Sequence, residues 1–200
     1  MNIELQGIFK RYTSSWVLKD VSLSIKQGDR LAVKGNNGSG KSTLIQLIAG
    51  VLPPSKGTIS YHNDDSEVKK DDIFNFLSIH TAYTELDEEL TASELFEHFT
   101  RYNKSQITDN QEFMEFAALD KQKNRLIKAY SSGMKQRLAL ALVFNSKRPL
   151  LILDEPGSFL DDQWKSWMAD TLEALDSTKT VIIASNEISD TRICNREYLL

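Results

Sequence analysis

Between Leu31 and Ala49 an apolar run, a glycine-rich loop and a helix-forming segment follow one another without a break. Leu31-Ala32-Val33 reads as a strand and Thr43 to Ala49 as a helix. The junction is Gly35-Asn36-Asn37-Gly38-Ser39-Gly40-Lys41-Ser42-Thr43, which fits G-x-x-x-x-G-K-[ST], the P-loop pattern. Glycines let the backbone turn so that successive N–H groups point inward at phosphate oxygens. The helix N-terminus adds the positive end of its dipole. In such a loop Lys41 reaches the β- and γ-phosphates and the Ser42 hydroxyl sits on Mg²⁺. The stretch predicts a strand–loop–helix unit of an α/β fold that binds a nucleoside triphosphate.

The rest of the chain reads as one α/β unit around that junction. Its 200 residues, 40% apolar, suffice to bury a full core. Alternation predicts strands over Asn2–Phe9 and Val21–Ile25, Arg30–Lys34 feeds the loop, and Gly57–Tyr61 is a further short strand. Gly50 ends the helix, with Pro53-Pro54 beyond it. The charge-dense stretch from Asn63 to Asp72 reads as a solvated loop, and Phe74 to Ile79 as strand-like. From Thr91 the pattern turns helical. Thr91-Ala92-Ser93-Glu94 is a capping box, and Thr108-Asp109-Asn110-Gln111 a weaker one. Leu95, Phe96, Phe99 and Tyr102, then Phe113, Phe116, Ala117 and Leu119, read as the core of a helical subdomain. Another helix starts near Ser132. Leu150–Leu153 and Thr180–Ala184 are continuous apolar runs, as expected of strands buried on both faces of a parallel sheet. Gln163–Leu175 between them is an amphipathic helix.

Composition narrows the partners. The net charge of −4 and the lack of a Lys/Arg-rich tail argue against a nucleic-acid surface. A single cysteine, Cys194, forbids an intrachain disulfide and suits a reducing compartment. The first residues lack the pattern of a signal peptide, and no run approaches the roughly 18 apolar residues of a membrane span. The expectation is a chain that serves a membrane, if at all, through a partner.

The second decisive stretch is Leu151-Ile152-Leu153-Asp154-Glu155-Pro156. An acidic residue at the carboxyl end of a buried strand opens onto the crevice where α/β sheets bind ligands. Asp154 would hold Mg²⁺ together with Ser42, through water or the hydroxyl itself. Glu155, one residue on, could polarise an attacking water. A third stretch, Tyr130-Ser131-Ser132-Gly133-Met134-Lys135-Gln136-Arg137, sets small residues before a helix N-terminus, again an anion-binding arrangement.

With these motifs in this order, the chain resembles the ABC-type ATPase family, the nucleotide-binding subunits of ABC transporters. Tyr130 to Met134 looks like the family's signature motif, usually LSGGQ, and Gly157-Ser158-Phe159-Leu160-Asp161 like its D-loop. The resemblance implies a P-loop α/β core with an antiparallel β subdomain and a helical insertion over about residues 84–142 of a single domain spanning 1–200. It places Tyr12 where an aromatic stacks on adenine. It implies ATP and Mg²⁺ as cofactors, held between the P-loop of one subunit and Ser131, Ser132 and Gly133 of another. The other subunit is a second copy or a paralogue, joined head to tail. A separate transmembrane permease is the implied partner, with this chain peripheral on the cytoplasmic face. Two positions depart from the pattern. Asn186 stands where the family has a switch histidine, and Ala82 where it has the Q-loop glutamine. With Glu155 retained, the expectation is a slow ATPase in which Glu155, Lys41 and Asn186 carry the chemistry. A non-transport member of the family, and a regulatory module that binds ATP with little turnover, stay open as alternatives.

Overall fold

In the computed structural model, which describes residues 1–64, 66–81 and 84–200, the apolar runs sort into two sheets. Strands β1 (Asn2–Tyr12), β2 (Ser15–Ile25), β4 (Lys56–Asn63) and β5 (Ser66–Val68) make an antiparallel sheet in the order β2-β1-β4-β5. Strands β3 (Arg30–Lys34), β6 (Leu77–His80), β7 (Leu150–Asp154), β8 (Thr180–Ala184) and β9 (Arg196–Leu199) make a parallel sheet in the order β6-β7-β8-β3-β9. The helices are α1 (Lys41–Ile48), α2 (Ala92–Tyr102), α3 (Asn110–Phe116), α4 (Ser132–Phe144), α5 (Asp162–Glu173) and the single turn α6 (Ile188–Thr191).

The parallel sheet explains the continuous apolar runs. Leu150, Ile152 and Ile182 join the core around α1, with Leu31, Val33, Leu44 and Ile48. Their neighbours Leu151, Leu153, Val181 and Ile183 face the other way, onto Leu140, Phe144, Met168 and Leu172. Every residue of β7 and β8 is buried. Each such side chain contributes about 1.5–3 kcal/mol by leaving water, which fixes the strand ends firmly where the chemistry lies. A separate cluster joins Phe96 to Phe113, their rings stacked 4.2 Å apart, with Met114, Leu138 and Leu142. Helix α4 lies between this cluster and the sheet and is apolar nearly all round: Leu138, Ala141 and Leu142 face one side, Leu140, Val143 and Phe144 the other.

Several local expectations are corrected. Strands β1 and β2 run longer than the alternation suggests. Asp20 takes a left-handed φ of 51° and the β1–β2 register shifts repeatedly, so the two-residue period breaks before Val21. Asn63–Asp72 is not simply a loop: β5 pairs with β4 through Tyr61 and Val68, and a 3₁₀ helix over Lys70–Asn75 follows. Phe74 belongs to that helix and is exposed, so the strand begins only at Leu77. Tyr102, on the last turn of α2, is 69% exposed and not core. At α3 the cap is Asp109 rather than Thr108, its carboxylate accepting from the Glu112 N–H at 2.8 Å. The Thr91 capping box forms as expected.

Candidate active site

Three strand ends meet at one register. Val33 of β3 and Asp154 of β7 both lie opposite Ala184 of β8. The Ser185 N–H donates to the Val33 carbonyl at 3.3 Å, and the Glu155 N–H to the Ala184 carbonyl at 2.8 Å. Residues after all three strands therefore emerge together: the glycine loop from β3, Glu155 from β7, and Ser185 and Asn186 from β8.

The loop leads into α1 through Gly40, which has φ 105°. A Cβ there would stand 2.9 Å from both Val17 and Leu18, so glycine is required on conformational and steric grounds. Asn37, Gly38, Gly40, Lys41, Ser42 and Thr43 line a cavity of about 330 Å³ that Val17 and Glu155 complete. Lys41 is buried; its ammonium donates to the Gly35 carbonyl at 2.8 Å and lies 3.9 Å from Glu155 Oε1. Glu155 takes a left-handed φ of 49°, a conformation costing about 1–3 kcal/mol for a residue with a side chain. That turn lifts its carboxylate off the strand line and toward the lysine.

The donor set suits a hard cation. Asp154 is buried close to the Ser42 side chain, and its Oδ1 has no hydrogen-bond partner among the described residues. A buried carboxylate oxygen left open beside a hydroxyl is what Mg²⁺ asks of a protein that supplies few ligands. Burial raises the Asp154 carboxyl above its ordinary range, with Ser42 and Lys41 opposing. Burial likewise raises Glu155; Lys41 opposes and Asp154 reinforces. Ser39 Oγ, at the turn of the loop, is also buried without a partner among the described residues.

Asn186 sits on the loop itself. Its carboxamide grips the backbone of one residue, Oδ1 accepting from the Gly35 N–H at 3.1 Å and Nδ2 donating to the Gly35 carbonyl at 2.8 Å. Tyr12 ends β1, 45% exposed, and is not in the cavity wall; the residue there is Val17, on the part of β2 before Val21 that the alternation does not reveal. Ser131 caps α4, its hydroxyl accepting from the Met134 N–H at 3.2 Å. Ser132 lines a different cavity of about 450 Å³ together with His80, Lys135, Gln136 and Phe159. The loop and the Ser131–Gly133 turn are thus not brought together within one chain. Ala82 lies outside the described residues. His80 is buried at the end of β6, its Nδ1 without a hydrogen-bond partner among the described residues, and burial lowers its imidazole to about 4, with the Gln136 side chain opposing.

Residues 18–158 match the sequence pattern of the ABC transporter family. The chain belongs to that family. Nod factor export ATP-binding protein I of Sinorhizobium fredii is 30% identical over 97% of the chain. The daunorubicin/doxorubicin resistance ATP-binding protein DrrA of Streptomyces peucetius is 29% identical over 94% of it. The chain spans 58% of the length of each. An ATP-binding cassette solved as a dimer in a post-hydrolysis state with ADP and Pi has a TM-score of 0.84 at 24% identity, covering 99% of this chain and 94% of that one. The fold is therefore that of an ABC ATPase domain. The family match takes in the glycine loop, Ser131–Gly133 and Asp154-Glu155, whereas Tyr12 and Asn186 fall outside it. Among the described residues no helix is long and apolar enough to cross a membrane.

Proposed function

We propose that the chain binds Mg-ATP and hydrolyses it, pairing head to tail with a second copy or a paralogue so as to drive a separate membrane-spanning subunit. The observation that carries this reading is the convergence of Lys41, Ser42 and Glu155 on one cavity, with Asp154 buried beside Ser42 and its Oδ1 left open. Ser42 and Asp154 would hold the Mg²⁺, which when bound supplies charge to the β- and γ-phosphate oxygens. Lys41 exchanges the Gly35 carbonyl for those oxygens. Glu155, turned toward the lysine, accepts the proton of a water that attacks the γ-phosphorus. The bond to the bridging oxygen then breaks, leaving ADP and phosphate. Ser131–Gly133, remote from the loop in its own chain, would close the site of the partner, as the helix N-terminus of α4 suits a phosphate. The names of the export and drug-resistance relatives favour outward transport.

Phosphate release by the purified chain with Mg-ATP tests this. Glu155→Gln should lower kcat by about 10²–10⁴-fold, the usual worth of a general base, and trap an ATP-bound dimer. Lys41→Ala should abolish nucleotide binding. Release unaffected by Glu155→Gln, or affinity unaffected by Lys41→Ala, would remove the assignment. A second reading, a regulatory module with little turnover, draws support from Asn186, whose amide is engaged by Gly35 rather than free for a phosphate. Nucleotide-dependent pairing without phosphate release would favour it.

A further inference from the structure

Asp190 is 1% exposed although the neighbouring Asn186, Glu187 and Ile188 are at the surface. The turn of α6 carries its carboxylate back beneath the strand ends. There Oδ2 accepts from the Ser185 hydroxyl at 2.7 Å and from the Gly157 N–H at 3.4 Å, and Oδ1 lies 3.4 Å from the Ser189 hydroxyl. Ser185 Oγ is also 3.4 Å from Glu155 Oε2 and accepts from the Glu187 N–H at 3.1 Å. A hydroxyl has one proton to give. The distances award it to Asp190, so Glu155 is left without a donor from Ser185. Lys165, the nearby cation, is paired with Glu187. The loop after Glu155 is fitted to the same carboxylate, because a Cβ on Gly157 would overlap it. Two residues on, Phe159 is 74% exposed with a left-handed φ of 65°.

We propose that Asp190 is a positioning residue for hydrolysis. It draws the Ser185 hydroxyl proton away from Glu155 and ties down the Pro156–Leu160 loop through Gly157, so that a Glu155 oxygen stays open for the proton of water. The proposal rests on Glu155 being the base. Its test is steady-state phosphate release by the full chain, with the dissociation constant of a non-hydrolysable Mg-ATP analogue measured alongside. Asp190→Ala should lower kcat about tenfold or more, as misplacement of a reacting group does, with KM and the analogue's affinity unchanged. Asp190→Asn retains an acceptor oxygen for both donors and should recover most of kcat. Gly157→Ala, which keeps the carboxylate but displaces it, should repeat the loss in kcat if Asp190→Ala does not fold. Unchanged kcat in Asp190→Ala or in Gly157→Ala, a parallel loss of kcat and affinity, or an Asp190→Asn variant as impaired as Asp190→Ala would each overturn the proposal. Glu155→Gln in the same assay separates the two readings. If it stops release while Asp190→Ala does not, only the role of Asp190 falls. If it changes nothing, both fall.

Discussion

The cavity at the glycine loop and the cavity at the start of α4 are built by different means. The first is walled by the glycine loop, the start of α1, Val17 and Glu155, and sits at the ends of strands locked in register, of which β7 and β8 are buried throughout. It gathers the Lys41 ammonium, the Ser42 hydroxyl and the Glu155 carboxylate, with Asp154 buried beside Ser42. The second is walled by side chains from separate elements: His80 at the end of β6, Ser132, Lys135 and Gln136 on α4, and Phe159 on the loop after β7. Cross-links hold it together. Gln136 donates to the Pro156 carbonyl at 2.8 Å and Lys135 pairs with Glu88 at 2.5 Å. The contrast teaches where rigidity resides. A site set by strand register resists change in its neighbours, whereas one set by side-chain bridges moves with them. The loop cavity would then be the fixed half of the nucleotide site, and the α4 face the half presented to a partner.

The largest effect should come from breaking the fixed half at its tightest point. Gly40→Ala forces a side chain onto φ 105° and against Val17 and Leu18, a cost of about 1–3 kcal/mol in strain alone. Because the strain falls on the cradle itself, Mg-ATP affinity should drop roughly tenfold or more, read by calorimetric titration, while the melting temperature falls only modestly. Unchanged affinity would mean that the loop is not rigidly set by β2, and the contrast between the two cavities would fail.

How far this contrast was legible in the sequence follows from its physical basis. The glycine loop, Lys41, Ser42, Asp154 and Glu155 are local patterns, and the bounds of β3 and β8 are met to the residue because runs buried on both faces have no alternative use. What lay hidden depends on pairing between distant segments. Val17 enters the cavity wall because β2 starts at Ser15, ahead of the register shifts that break the alternation before Val21. Ser185 and Asp190 matter because Ala184 is the register partner of both Val33 and Asp154, and no spacing within Ser185–Asp190 signals that. Asn186 stood at an expected position, but its two bonds to Gly35 depend on the same register. Asp109 displaced Thr108 as a cap because neighbouring candidates differ only in which residue takes the extended conformation.

A middle-sized effect should appear at the second cavity through pH. The His80 imidazole, ordinarily near 6.5, is lowered by burial to about 4 in the folded chain, with the Gln136 side chain opposing. Between those values the unfolded chain binds a proton that the folded chain refuses, so the contribution of His80 is full above 6.5 and is lost as pH falls toward 4. His80→Gln should flatten this acid-side loss of stability. Denaturant unfolding at neutral and mildly acidic pH, compared as the difference between variant and parent, isolates it from the buried carboxylates Asp154 and Asp190. An unaltered difference would place the ring in water rather than against α4.

The smallest effect distinguishes the two halves most directly. Ser131→Ala removes the N-cap of α4, worth about 1 kcal/mol of stability. The hydroxyl lies outside the loop cavity, so single-chain affinity for Mg-ATP should not change. If the turn at Ser131–Gly133 completes a partner's site, ATP-dependent dimerisation should weaken in the same variant, as measured by sedimentation in a Glu155→Gln background where turnover does not dissolve the pair. The two measurements therefore pull apart. A drop in single-chain affinity would join α4 to the loop cavity, and intact dimerisation would confine Ser131 to capping its helix. Weakened pairing with unchanged affinity would show a fixed half and a presented half meeting only across two chains.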